Sequence, residues 1–175
     1  MGKARLVLGG GCFWCVEAVF SDVKGVNSAI SAYAGGLRPN PTYENICTGA
    51  TGHAEVVDIT YDNEIVTLDE LLDIFFVIHD PTTLNQQGAD KGTQYRSVIY
   101  YGDDEECAII QNSITKHQES FSQKIVTEVS PLPEVYSAEA YHQNYYKQNA
   151  SQGYCQVVIT PKIQKFMTLF SDKLG

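Results

Sequence analysis

The sequence predicts a β-sheet covered by helices, in the α+β or α/β class. Three observations predict it. Apolar runs of strand length recur along the chain, and segments with helical caps and apolar faces stand between most of them. With 43% hydrophobic residues over 175 positions, the chain can bury one real core. A single domain covering residues 1–175 is the expectation.

The elements follow in order. Arg5-Leu6-Val7-Leu8 reads as a buried strand, and Val16-Glu17-Ala18-Val19-Phe20 as the start of a helix that Gly25 ends. Val26–Ala34 alternates as a strand does, and the Gly and Pro content of residues 35–41 makes a loop. His53–Tyr61 is the next strand. Thr67-Leu68-Asp69-Glu70 is a capping-box pattern with Thr67 as N-cap and Glu70 at the third helical position. The helix it opens runs through Leu71, Leu72, Ile74, Phe75 and Ile78 and stops before Asp80-Pro81. A polar loop, Thr82–Gln94, is longer than a plain connector needs, which points to function. Beyond it come a strand at Ser97–Tyr101, a helix from Asp103 to about Phe121, a strand at Ile125–Val129 and a helix from Ser137 to about Asn149. Thr160-Pro161 reads as an N-cap followed by proline at the first helical position, opening a helix over Lys162–Asp172.

Charge and cysteine content narrow the function. Twelve basic against twenty-one acidic residues give a net charge of -9, which argues against nucleic acid or an anionic membrane as a partner. No apolar run approaches the roughly 20 residues of a membrane span. The N-terminus lacks the basic start and long apolar stretch of a signal peptide, so a cytoplasmic location is expected. Five cysteines cannot all pair within the chain. In a reducing compartment they stand for packing, metal or redox chemistry.

The richest stretch is Gly9-Gly10-Gly11-Cys12-Phe13-Trp14-Cys15, between the first strand and the first helix. Its glycines allow a tight turn and a close approach of backbone to ligand. Cys12 falls near a helix N-terminus, where free N–H groups favour a thiolate, the nucleophilic form. Phe13 and Trp14 add an apolar wall. The plain alternative for Cys12 is a small buried hydrophobe. Cys12 and Cys15 also form a C-x-x-C, which serves as a redox pair or as half of a zinc site. Zinc needs two further ligands, and the chain has no second C-x-x-C and no H-x-x-H, so no metal or other cofactor is expected.

Gly52-His53-Ala54-Glu55 puts His53 and Glu55 on one face of a strand. This is either a solvated charged edge or a place where a buried Glu55, raised in pKa, donates a proton. The loop from Asp80 to Arg96 holds Asp90 between glycines and ends on Tyr95 and Arg96, a way of presenting donors and acceptors to a ligand. Tyr43 and Tyr95 are by type packing residues with one wet end. Cys107 lies within a helix. Cys155 follows Ser151-Gln152-Gly153-Tyr154, a turn or loop from which a thiol can travel.

Together these stretches resemble the A-type peptide-methionine sulfoxide reductases. The resemblance is carried by GGGCFWC (Gly9–Cys15), YAGG (Tyr33–Gly36), PTYENICTGATGHAEVV (Pro41–Val57), HDPTTLNQQGADKGTQYRSVIY (His79–Tyr100) and AEAYHQNYY (Ala138–Tyr146). It implies one α+β domain around a ferredoxin-like β-α-β-β-α-β core, with extra helices and long loops. It also implies reduction of the S epimer of methionine sulfoxide, free or in proteins, in the repair of oxidative damage, with thioredoxin as reductant. Cys12 is then the nucleophile, Phe13 and Trp14 the pocket for the substrate methyl group, and Glu55 the group that hydrogen-bonds or protonates the sulfoxide oxygen. Tyr43 and Tyr95 donate to the same oxygen, and Asp90 supports the polar side. The sequence departs from the commonest family pattern at Cys15, where most members have glycine. Cys155 is the expected resolving thiol, Cys15 the second candidate, and Cys47 a packing residue. Two other classes compete: a module that binds oxidised methionine without turnover, which would lack Cys12 or Glu55, and a thiol–disulfide oxidoreductase, which would act on disulfides through Cys12 and Cys15.

Overall fold

The computed structural model describes residues 3–37, 39–48, 51–87, 90–149, 151–153 and 155–173. Arg38, Gly49, Ala50, Gly88, Ala89 and Tyr154, which fall in the expected loops and motifs, lie outside the described residues, as does the side chain of Cys155.

The strands are β1 (Lys3–Gly9), β2 (Val26–Ala34), β3 (Ala54–Asp62), β4 (Gln86–Gln87), β5 (Asp90–Lys91), β6 (Val98–Tyr101), β7 (Glu128–Pro131) and β8 (Val135–Ser137). The helices are α1 (Phe13–Phe20), α2 (Tyr43–Cys47), α3 (Leu68–Ile78), α4 (Asp104–Gln118), α5 (Tyr145–Asn149) and α6 (Thr160–Leu169). The main sheet runs β7-β6-β1-β3-β2-β8. β3 is antiparallel to both β1 and β2, and β1 is antiparallel to β6. So β1 and β2 run the same way with α1 crossing between them, and β3 and β6 run the same way with α3 crossing between them. That is the ferredoxin-like order the resemblance implied, extended by β7 parallel to β6 and β8 antiparallel to β2.

The strands alternate because one face meets helices and the other does not. Leu6, Leu8, Val57, Ile59 and Tyr61 point into the larger core with Val19, Phe20, Leu71, Leu72 and Phe75 from α1 and α3. Val7, Ala32, Ala34, Ala54 and Val56 form a smaller cluster on the opposite face, covered by Leu132 and Val135. α3 is held at its start by the expected capping box. The Thr67 hydroxyl accepts from Glu70 N at 3.1 Å and the Glu70 carboxylate from Thr67 N at 3.0 Å.

Several boundaries differ from expectation. α1 ends at Phe20, and Gly25, at φ +98°, shapes the turn into β2 instead of capping the helix. The Thr82–Gln94 loop contains the β4–β5 pairing and a 3-10 turn at Thr93–Tyr95. The strand expected at Ile125–Val129 forms only from Glu128, because Ile125 N donates to the Gln118 side chain and Val126 N to Pro81 O. The helix expected over Ser137–Asn149 is instead the end of β8, a 3-10 turn at Ala140–His142 and the short α5. Asn144 sits at φ +54° there, and its N–H goes to Glu17 rather than to a helical carbonyl. Thr160 is not an N-cap. α6 continues from a π-turn at Cys155–Ile159, and the Thr160 hydroxyl pairs with Tyr146 OH at 2.7 Å. Cys155 thus begins a helical turn and does not lie in an open loop. Among the described residues no helix is long and apolar enough to cross a membrane.

Candidate active site

β1 delivers the glycine turn to the edge of the core. A Cβ on Gly10 would stand 2.7 Å from the His79 ring, so only glycine lets the loop lie flat on that imidazole. Gly11 takes φ +90°, open to glycine, and donates its N–H to Tyr95 O at 3.2 Å. This bond joins the Cys12 loop to the end of the polar loop. Cys12 then caps α1, with extended backbone and no side-chain cap bond.

Glu55 meets Cys12 from β3. Its side chain is 1% exposed. Oε1 accepts from the Phe13 N–H at 3.1 Å, while the buried Oε2 has no partner among the described residues. Burial pushes the carboxyl up to about 8; Asp90 and Cys15 add to the rise and the Phe13 N–H opposes it. At neutral pH Glu55 is therefore mostly a neutral acid with a proton to give.

Cys12 departs from expectation. Burial pushes its thiol well above the ordinary value, the neighbouring Cys15 adds to the rise, and Glu55 adds to it once ionised. The Trp14 N–H at the helix start does favour the thiolate, as the sequence suggested, but it is outweighed. At neutral pH Cys12 is a thiol beside a protonated Glu55.

Tyr43 and Tyr95 flank this pair. Burial raises both hydroxyls, with Glu55 the next cause for each, so both are fully protonated donors. Cys47, four residues on in α2, adds to the rise at Tyr43. Cys47 is exposed rather than packed, because the five-residue α2 lies on the surface and buries only Ile46. Asp90 sits in β5, near enough to Glu55 to raise its pKa. Phe13 is 1% exposed, against Tyr33 and His142. Trp14 stacks on Tyr145 at 3.7 Å with a 7° interplanar angle and donates Nε1–H to His142 Nδ1 at 3.0 Å.

His53 does not join the cluster. It precedes β3, and its Nδ1 accepts from Gly36 N at 3.0 Å. Arg96 braces the loop by donating to Glu128 and to Thr93 O. Cys15 is buried beside Cys12.

Sequence reasoning missed the strap over Trp14. His142 and Tyr145 hold the indole, while three side-chain clamps hold the strap. Glu17 accepts from Asn144 N and the Ser31 hydroxyl. Gln143 bonds both backbone groups of Ser31. Glu139 accepts from Tyr33 OH and Tyr43 N. The one available signal was Trp14 itself, since a buried indole N–H needs an acceptor.

This geometry has close counterparts. A family model described as "Peptide methionine sulfoxide reductase" matches residues 4–174. The chain is 54% identical over 173 residues to the peptide methionine sulfoxide reductase MsrA of Polynucleobacter asymbioticus, covering 98% of this chain and 91% of that one. Its fold is similar to that of Mxr1 from Saccharomyces cerevisiae in reduced form, with a TM-score of 0.82 and 34% identity over 88% of this chain and 90% of that one. It is also similar to Mxr1 in complex with Trx2, with a TM-score of 0.58 and 25% identity over 82% of this chain and 85% of that one. With nearly every residue matched and the glycine turn, Cys12 and Glu55 converging as described, the chain belongs to the peptide methionine sulfoxide reductase family.

Proposed function

We propose that this chain, acting as one domain over residues 1–175, reduces the S epimer of methionine sulfoxide, free or in proteins, and is recycled by thioredoxin. The observation that carries the reading is Glu55: a buried, neutral carboxyl beside Cys12 with one oxygen unpartnered. A sulfoxide carries a polar oxygen and an apolar methyl on one tetrahedral sulfur. The oxygen takes the Glu55 proton and hydrogen bonds from Tyr43 and Tyr95, with Asp90 helping to keep Glu55 protonated. The methyl lies against Phe13 and Trp14. Separate places for oxygen and methyl make the site chiral, hence selective for one epimer.

Polarisation by these donors leaves the substrate sulfur electron-poor, and the Cys12 thiol gives up its proton as its sulfur attacks. The substrate sulfur gains two electrons and leaves as methionine. The Cys12 sulfur loses two and keeps the oxygen as a sulfenic acid. A second thiol then attacks that sulfur, releasing water and forming a disulfide, which thioredoxin reduces by exchange. Cys155 is our first candidate for that thiol. It starts a turn around which the described residues Gly153, Gln156 and Val157 are exposed. Cys15 is second: it lies buried beside Cys12, but at 1% exposure a disulfide there would be shielded from thioredoxin. The similarity to the Mxr1–Trx2 complex supports thioredoxin as the reductant. Thioredoxin and the free described cysteines fit a cytoplasmic setting.

The test is a single turnover without reductant. One methionine per chain should appear from the S sulfoxide and none from the R sulfoxide, with a Cys12–Cys155 disulfide in the peptide map. Turnover of disulfides but not of sulfoxide would sink the reading.

A further inference from the structure

Behind the catalytic loop, on the side away from Glu55, α3, α4 and α6 enclose an open groove of about 670 Å³. That is within the usual range for small-molecule sites, about 300–1,000 Å³. Its walls are apolar: Phe76 from α3, Phe121 beyond α4, and Pro161 and Leu169 from α6. Leu169 is 56% exposed and so leaves its side chain open to a ligand in the groove. Two lysines, Lys162 and Lys165, line the groove one helical turn apart. Among the described residues neither lies within ion-pair distance of a carboxylate. In a chain of net charge -9, these two lysines place positive charge together at the border of an apolar groove. The acid on the same lining, Asp80, already accepts from the Thr82 N–H and hydroxyl. His117, also on the lining, is paired with Asp73.

The floor of the groove touches the catalytic turn. His79 and Gln87 line it. His79 is the ring on which Gly10 lies, and a Cβ on Gly11 would stand 2.7 Å from Gln87 Cγ. Gln87 is itself fixed at both ends of its amide, accepting from Asp80 N at 2.9 Å and donating to Asp80 O at 3.0 Å. One layer of side chains thus separates the groove from the backbone that places Cys12. On its other wall, α6 continues directly from the turn that Cys155 begins.

We propose that this groove binds an apolar carboxylate, with the alkyl body among Phe76, Phe121 and Leu169 and the carboxylate between Lys162 and Lys165, and that its occupancy is felt at Cys12 through His79 and Gln87. Apolar walls reject a small inorganic anion, and the unpaired lysines favour an acid over an alcohol of equal length.

The experiment is calorimetric titration of the full reduced chain with octanoate, with octanol and acetate as controls. It is repeated on the Lys162→Gln/Lys165→Gln double variant and in the presence of N-acetylmethioninamide, which carries the methionine side chain without a carboxylate. Saturable octanoate binding is expected at one site per chain, weakened about tenfold or more in the double variant, stronger than octanol or acetate, and unaffected by N-acetylmethioninamide. Saturating octanoate should also change the alkylation rate of Cys12, followed by peptide mapping, in the wild-type chain and not in the double variant at the same concentration. Absence of saturable binding, equal binding by the double variant, or displacement by N-acetylmethioninamide would overturn the site. An unchanged alkylation rate under saturation would overturn the coupling to Cys12.

Discussion

Two buried titratable groups face the same glycine turn from opposite sides, and the structure treats them in opposite ways. Behind the turn, His79 is fully satisfied. Its Nδ1 meets Phe75 O, a pure acceptor, so the proton is on Nδ1. Nε2 then accepts from Ser97 Oγ at 2.9 Å, and Ser97 Oγ accepts in turn from Thr127 Oγ1 at 2.8 Å. Burial lowers this imidazole to about 4, so it stays neutral across the physiological range. In front, Glu55 is as deeply buried but leaves Oε2 without a partner, and burial moves it to about 8, into that range. Burial alone makes neither group functional. What separates them is an open hydrogen-bonding valence together with a pKa shifted toward working pH. A closed network holds the loop, and an incomplete one awaits a substrate.

The comparison can be broken at either side. Cys12→Ser, which removes the proposed nucleophile, should have the largest effect, a loss of turnover of at least about three orders of magnitude in a steady-state assay. Glu55→Gln should slow methionine release in a single turnover by about 10²–10⁴-fold, the usual share of a general acid. Yet it should leave the fold intact and stabilise it. Because the folded carboxyl titrates at about 8 and the unfolded one near 4.5, the wild-type chain loses stability as pH rises between them. Above pH 8, denaturant titration should find the variant more stable, on the order of a few kcal/mol. An active-site substitution that raises stability is what an unsatisfied acid predicts.

Behind the loop the outcome reverses. Ser97→Ala strips the acceptor site of His79 of its donor and should cost about 1–3 kcal/mol in denaturant unfolding, with a much smaller change in rate than Glu55→Gln. His79 also sets the opposite pH window. Its folded value of about 4 lies below the unfolded 6.5, so its contribution is present above pH 6.5 and lost as pH falls toward 4. Acid unfolding curves of a His79→Gln variant should lack that part of the slope. If Ser97→Ala abolished chemistry while leaving stability untouched, the division between the two sides would be wrong.

The two sides were unequally legible in the sequence. The glycine turn, the capping box at Thr67 and the strands through the core are local signals, carried by residue type and period, and they stand where expected. Glu55 was legible as a candidate acid through the family resemblance, since its place at a strand start alone fitted a solvated charged edge better. What could not be read is what depends on distant partners. Cys12 looked like a thiolate because the helix start is a local feature, whereas the burial that outweighs it comes from the whole fold. Ser137–Asn149 looked helical because the clamps that unwind it, Glu17 and Ser31, are over 100 residues away. The tail before α6 misled in the other direction. Its glycine suggested a loop, but helical backbone continues through Cys155 into α6.

The central claim is that Glu55 holds a proton at neutral pH and gives it to the substrate. It is tested most directly by single-turnover rates of methionine release across pH 6 to 10 for the wild-type chain and Glu55→Gln. The wild-type rate should fall as pH rises through about 8. The variant should be slow throughout and show no fall at that pH. Profiles of the same shape and height for both proteins would contradict the claim and remove Glu55 from the chemistry.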